Sequence, residues 1–400
     1  MILRYNTSIS RKEGAEKMVR IVTGWVVLAL WAGAAVSDRQ IANMFVLGFD
    51  GKKLSRQSPV VKDICERGLG GVLLFGKNVA SPTQLKALTT QLNRCPHKPL
   101  IAVDQEGGKV RRIRFGQEYP RASQVGRMGT RAAGKLYDGM GSELQRLGIN
   151  YNLAPVADLD LEPRNYIIHK LGRSYGADPR DVAAFDTAFI RAMHRHRILT
   201  SLKHYPGHGS SLGDTHKGFV DVTKQWQPKE LEPFTNSAAD SVMIAHVVNR
   251  QIDPSGRPMS LSRTAIIRLR RRNPQVVAIT DDLQMGAIRK HYTLEQTLAM
   301  AIGAGNDLLL FGNQLTKKKK VSTVQLIGIV RSLIRQGRID ERSIIRANRR
   351  IARMRSRIGL RDGQVVPSRA TARSKPVTTK LHRKQPRKQL HRKHTSEDLF

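Results

Sequence analysis

Acidic residues are scarce in this chain. Its 400 residues carry 32 Asp and Glu against 69 Lys and Arg, a formal net charge of +37. Such an imbalance attracts polyanions, whether nucleic acid, anionic lipid or acidic cell-envelope polymer, and says nothing about fold. Basic residues interleaved with aromatics are also missing, as is any recognised nucleic-acid module, so no specific nucleic-acid partner is expected. Cysteine is rarer still. Cys65 and Cys95 alone exclude a disulfide framework and a cysteine-rich zinc site. One Cys65–Cys95 bridge stays open in an oxidising compartment, although two buried small apolar residues is the simpler reading.

What is present divides the chain into three. Arg4, Arg11, Lys12, Lys17 and Arg20 precede an apolar run from Ile21 to Val36, and Ala35-Val36-Ser37 supplies a small-residue cleavage pattern. Residues 1–37 therefore read as a signal peptide, with an uncleaved membrane anchor as the alternative and cytoplasmic retention behind both. The expected location is outside the cytoplasm, in the periplasm or cell envelope. Residues 38–360 alternate apolar and amphipathic segments. Residues 361–400 hold eleven Lys and Arg against three Asp and Glu, a net of +8, with few apolar residues. Such a tail cannot bury enough surface to fold alone and is expected to be disordered. The rest of the chain still carries +29, so the basicity is not confined to the tail.

Forty per cent apolar content allows a large core, and the length suits one α/β barrel or two to three ordinary domains. Eight short apolar runs decide between them: Met44–Phe49, Val72–Phe75, Leu100–Val103, Tyr151–Ala154, Leu199–Leu202, Val242–Ala245, Val276–Thr280 and Leu308–Phe311. Helical patterns lie between, such as Val182, Phe185, Phe189 and Ala192 on one face. Eight strand–helix repeats predict a closed (β/α)8 barrel. An open doubly wound sheet would want a glycine-rich phosphate turn after its first strand, and Gly48-Phe49-Asp50-Gly51 is not one. Beyond the eighth run come the charged stretch Lys317–Lys320 and two helical patterns, the second with Ile344, Ala347, Ile351 and Met354 on one face.

In such a barrel catalytic groups sit just after the strands. The third run leads into Asp104-Gln105-Glu106-Gly107-Gly108, the sixth ends at His246 and the seventh at Asp281-Asp282. The fifth leads into Lys203-His204-Tyr205-Pro206-Gly207-His208-Gly209-Ser210-Ser211-Leu212-Gly213-Asp214-Thr215-His216. Its glycines and proline predict an irregular, lid-like loop. Asp214 and His216, two apart, are placed to hydrogen-bond, which would fix the imidazole tautomer and suit it to moving protons. Asp282 has a plainer reading as the cap of a helix beginning at Leu283.

That loop resembles the K-H-[FY]-P-G-x-G…D-x-H signature of glycoside hydrolase family 3, in its NagZ-type β-N-acetylhexosaminidase branch. Further blocks are similar in the same order: Gly71-Val72-Leu73-Leu74-Phe75, Asp104 to Gly108, Gly172-Arg173-Ser174-Tyr175-Gly176, Met243-Ile244-Ala245-His246 and Thr280-Asp281-Asp282-Leu283-Gln284-Met285. The resemblance spans roughly residues 41–315. It implies Asp281 as the nucleophile that forms a covalent glycosyl-enzyme, and His216, oriented by Asp214, as acid/base. It also implies Asp104, Arg173, Lys203 and His204 as the residues holding a terminal N-acetylglucosamine. The implied reaction is a retaining exo-hydrolysis on peptidoglycan or related glycans, by a monomer without cofactor or metal. Tyr205 and Thr215 replace commoner Phe and Ser, and Gly172 stands where an Asp is frequent.

Three rivals remain. A metallohydrolase could use His204, His208, Asp214 and His216, but their spacing fits no recurrent zinc pattern and the first run lacks a His-x-His pair. A degenerate barrel could serve only to bind an anionic envelope polymer through its basic tail, against which stand the intact Asp214, His216 and Asp281. A phosphorylase could use the same residues with phosphate in place of water.

Overall fold

The computed structural model describes residues 35–235, 238–315 and 320–360. The signal-like segment up to residue 34, the basic stretch at Lys317–Lys319 and the tail 361–400 lie outside the described residues.

All eight apolar runs form strands, and all eight share one parallel sheet. These are β1 (Phe45–Gly48), β2 (Gly71–Leu74), β3 (Leu100–Val103), β6 (Tyr151–Asn152), β7 (Leu199–Tyr205), β8 (Ser241–Ile244), β9 (Val277–Thr280) and β10 (Leu309–Phe311). A hairpin of β4 (Gln105–Gly107) and β5 (Val110–Arg111) stands apart. The sheet order is β10-β1-β2-β3-β6-β7-β8-β9. Its two ends meet through a parallel bridge, Ile279 to Leu308, where the Thr280 N–H also donates to the Leu308 carbonyl at 3.0 Å. The result is a nearly closed eight-stranded barrel, and the doubly wound alternative is set aside.

The strands are buried on both faces, as parallel strands under a helical layer must be. The helix Pro179–Arg195 turns Val182, Phe185, Phe189 and Ala192 inward as its periodicity predicts. Helix starts follow local chemistry. Ser81, Asp178, Ser262, Thr293, Ser322 and Asp340 each accept a backbone N–H of the first turn, each cap contributing about 1 kcal/mol.

The last helix, Glu341–Ser356, buries Ile344, Ala347, Ile351 and Met354 and crosses beneath the amino ends of the strands. Its Arg350 pairs with Asp307, ahead of β10, and Arg357, just past the helix, pairs with Asp240, ahead of β8. Arg355 is fully buried and donates to the carbonyls of Gly70 and Lys98, ahead of β2 and β3. This helix is the floor of the barrel.

The cysteines correct the sequence reading. Cys65 and Cys95 are bonded to each other, not merely buried. The segment Asp63–Arg67 and the turn after helix Pro82–Leu92 come together beneath β2 and β3, leaving the two Cα atoms 4.9 Å apart.

Candidate active site

The carboxyl ends of the strands surround a cavity, where this architecture places its active sites. Asp104 follows β3, Lys203 and His204 end β7, and Asp281 follows β9. Arg173 comes from the segment after β6, and His216 from the loop after β7. All six line the cavity, and Asp214 takes part through its bond to His216.

One side of the cavity is a buried ion-pair network. Lys203 Nζ lies 2.8 Å from Asp104 and 2.7 Å from Glu106. Arg173 donates through Nε and Nη2 to the two Glu106 oxygens, at 2.8 and 2.7 Å, and Arg112 reaches Asp104 at 3.2 Å. Burial alone would push both carboxyls up. For Asp104 the cations of Lys203 and Arg112 outweigh it, and for Glu106 those of Arg173 and Lys203 do, holding Glu106 at about 2. Neither carboxylate is available as a proton donor near neutral pH.

His204 is fixed from behind. Its Nδ1 lies 2.7 Å from Asp158, whose other oxygen accepts the backbone N–H groups of His204 and His208 at 3.1 and 2.8 Å. His208, in the same cavity, is kept neutral, since burial drives its pKa down to about 4 despite Asp158.

Asp281 and His216 line the same cavity. Burial would raise the Asp281 carboxyl, but His246, His204 and His216 together with the Asp282 N–H hold it below the usual carboxylate range. Asp281 is half-buried and makes no salt bridge among the described residues. His216 Nδ1 lies 2.9 Å from Asp214 Oδ1. Burial would raise Asp214 too, but the His216 bond and charge bring it below its ordinary value. His246 has Nδ1 at 2.7 Å from Ser260 Oγ and Nε2 at 2.9 Å from the Asp282 carbonyl.

The β7 loop is irregular, as its glycines predict, but it is fastened at both ends. Asn165 Nδ2 donates to the carbonyls of His208 and Gly209 at 2.8 and 3.1 Å, and Trp226 Nε1 to that of Pro206 at 3.0 Å. Gly209 presses so close to Leu159 that a Cβ would sit 1.7 Å from its carbonyl oxygen, so no other residue fits. Downstream, the N–H groups of Gly286 and Ala287 donate to the carbonyls of His216 and Thr215 at 3.1 Å. Leu212, between the fastened parts, stays half exposed.

Asp282 is not a helix cap. The helix begins at Gly286, and the Asp282 carboxylate instead accepts the N–H groups of Gln284 and Gly312, both at 3.0 Å, tying the β9 and β10 loops together. Gly172 has φ +65° and a Cβ there would lie 2.6 Å from Arg121, so this backbone suits glycine.

Sequence reasoning missed the roles of Glu106, Arg112, Asp158 and His208. Glu106 had a signal, since it lies two residues from Asp104 at the same strand end. Asp158 had none, standing in an irregular segment after β6.

The arrangement has relatives. Residues 37–354 match the family described as Glycosyl hydrolase family 3 N terminal domain. A β-hexosaminidase from Xanthomonas oryzae pv. oryzae is 31% identical over 317 residues, covering 72% of this chain and 91% of the relative. Another from Xylella fastidiosa is 34% identical over 286 residues, covering 67% and 82%. A glycoside hydrolase family 3 β-N-acetylglucosaminidase from Paenibacillus sp. superimposes with a TM-score of 0.75 at 29% identity, over 84% of this chain. This chain spans 65% of that protein's length. The β-N-acetylhexosaminidase of Beutenbergia cavernae shares the fold, with a TM-score of 0.70 at 24% identity, over 82% of this chain and 100% of that one. With the barrel, the strand-end cavity and these matches in agreement, the chain is a glycoside hydrolase and belongs to glycoside hydrolase family 3.

Proposed function

We propose that the chain is a retaining exo-β-N-acetylglucosaminidase acting on cell-wall or related aminosugar glycans, outside the cytoplasm. One observation carries the mechanism. The cavity pairs a carboxylate held anionic, Asp281, with a His216–Asp214 dyad, while Asp104 and Glu106 are locked in ion pairs. The Asp281 carboxylate attacks the anomeric carbon, and the bond to the leaving oxygen breaks as protonated His216 gives that oxygen its proton. A glycosyl ester on Asp281 results. Neutral His216 then takes a proton from water, whose oxygen displaces Asp281 and restores the original anomeric configuration. The charged group of Asp104, Lys203 and Arg173, with His204, supplies donors and acceptors for the hydroxyl and acetamido groups of a terminal sugar. The β-hexosaminidase relatives support the aminosugar preference.

The test is hydrolysis of a panel of nitrophenyl β-glycosides, with proton NMR on the first-formed product. N-acetylglucosaminide turnover giving the β-anomer is expected. An α-anomer as first product, or preference for an unsubstituted glucoside, would overturn this reading. Release of a sugar 1-phosphate in phosphate buffer would assign the phosphorylase alternative.

A further inference from the structure

The pole of the barrel opposite the cavity carries a pattern that sugar hydrolysis does not use. On the floor helix, Arg342, Arg346, Arg349 and Arg353 are exposed, and Arg357 continues the series just past its end. Spacings of four, three, four and four place them in one stripe facing away from the barrel. Arg342 pairs with Asp340 and Arg357 with Asp240, while Arg349 and Arg353 make no ion pair among the described residues. The helix Arg263–Arg272 adjoins this stripe, because its Arg270 shares Asp307 with Arg350. Its last residues, Arg271 and Arg272, are exposed as well. Asp240 and Asp307 are themselves fully buried, so they offer no negative charge at the surface. A stable solvated helix face commonly alternates charge signs, and this one does not.

The chain enters the barrel at the same pole. The helix Asp38–Ala42 is tied to the floor helix, with Asn348 Nδ2 donating to the Gln40 carbonyl and Asn43 Nδ2 to Asn348 Oδ1, each at 2.8 Å. In sequence, the apolar run Ile21–Val36 ends two residues before Asp38, and the +8 tail begins directly after the floor. Phosphate-bearing partners suit arginine, whose planar fork donates two parallel hydrogen bonds. A sequence that joins an apolar run directly to the pole carrying a stripe of cations is the combination that favours a lipid surface over a soluble polyanion.

We infer that the arginine-striped floor is a docking face for an anionic phospholipid bilayer, held against its headgroups with the catalytic cavity turned away. The face is independent of the sugar chemistry, so either reading can fail without the other.

The experiment uses the full chain and two charge-matched double variants. R349E/R353E alters the stripe, and R131E/K135E makes the same change at exposed i,i+4 positions early in the helix Thr130–Arg146, away from the floor. Binding is read by co-sedimentation with vesicles of phosphatidylcholine alone or with added phosphatidylglycerol, across a salt series. Wild type is expected to prefer the phosphatidylglycerol vesicles and to lose that preference as salt rises. R349E/R353E is expected to lose roughly 30-fold or more in partition, from about 1 kcal/mol for each cation near the surface. R349Q/R353Q should show a smaller loss, and R131E/K135E should stay within about threefold. Turnover of a small chromogenic glycoside, unchanged in all three, reports that the fold is intact. Equal losses in the two charge-matched variants would overturn the proposal, as would indifference to phosphatidylglycerol. Unchanged vesicle binding with lost retention on duplex DNA or purified envelope polysaccharide would reassign the face to that partner.

Discussion

One oxygen of Asp214 holds His216 twice, accepting its backbone N–H and lying against its ring Nδ1, both at 2.9 Å. In the proposed cycle this fixes which nitrogen moves the proton and stabilises the imidazolium that donates it. His216→Ala is expected to lose about 10²–10⁴-fold in kcat/KM on a disaccharide, whose leaving oxygen needs protonation. The loss on a dinitrophenyl glycoside should be far smaller. Asp214→Asn should follow the same trend more mildly. Losses that do not depend on leaving-group acidity would remove His216 from the acid role.

Asp281 stands directly after β9, with a carboxyl held low by the imidazoles around it. Asp281→Ala should remove nearly all N-acetylglucosaminide turnover. A 2-fluoro sugar with a good leaving group should inactivate the wild type and label that carboxylate, as peptide mass spectrometry would show. Since the group lies below its ordinary 3.8, an acid limb of kcat/KM above pH 5 should not belong to it. A label on Asp282 would reassign the nucleophile by one residue.

The strands and the cavity were legible because they rest on short-range rules. Eight apolar runs needed both faces buried, and Asp104, Lys203, His204 and Asp281 stand where those runs end. The dyad was legible because Asp214 and His216 are two residues apart. Contacts made between distant segments were not. Asp158 meets His204 across 46 residues, Arg173 meets Glu106 across 67, and Arg355 meets Gly70 across 285. No periodicity records such pairings. The tie made by Asp282 has the same origin, since its Gly312 partner lies thirty residues on.

Joining Cys65 to Cys95 closes a loop with a sequence separation of 30 residues. In the chain-entropy account a loop of that size restrains the unfolded state by about 3–4 kcal/mol. Cys65→Ser with Cys95→Ser should therefore lower the urea midpoint while leaving KM unchanged, because neither cysteine lines the cavity. The reducing agent should lower the wild-type midpoint by a similar amount and the variant's not at all. A variant as stable as the oxidised wild type would show that the bond contributes nothing.

Asp282 gives the molecule a pH-dependent weakness. Burial pushes its carboxyl up to about 6, outweighing the N–H groups of Gln284 and Gly312 that donate to it. A carboxyl raised above its unfolded value of 3.8 contributes its stability below that pH, where it is neutral in both states. That contribution is lost as the pH rises through about 6 and the buried group is forced to ionise. Asp282→Asn keeps an oxygen to accept both N–H groups and cannot ionise. The variant should match the wild type in stability near pH 4 and exceed it by about 2–3 kcal/mol at pH 7.5, at 1.36 kcal/mol for each pKa unit. Urea unfolding at half-unit pH steps measures this directly, and the difference should rise mostly between pH 4 and 6.5 before levelling. A difference that stays constant across that window would show that the buried carboxyl does not titrate there.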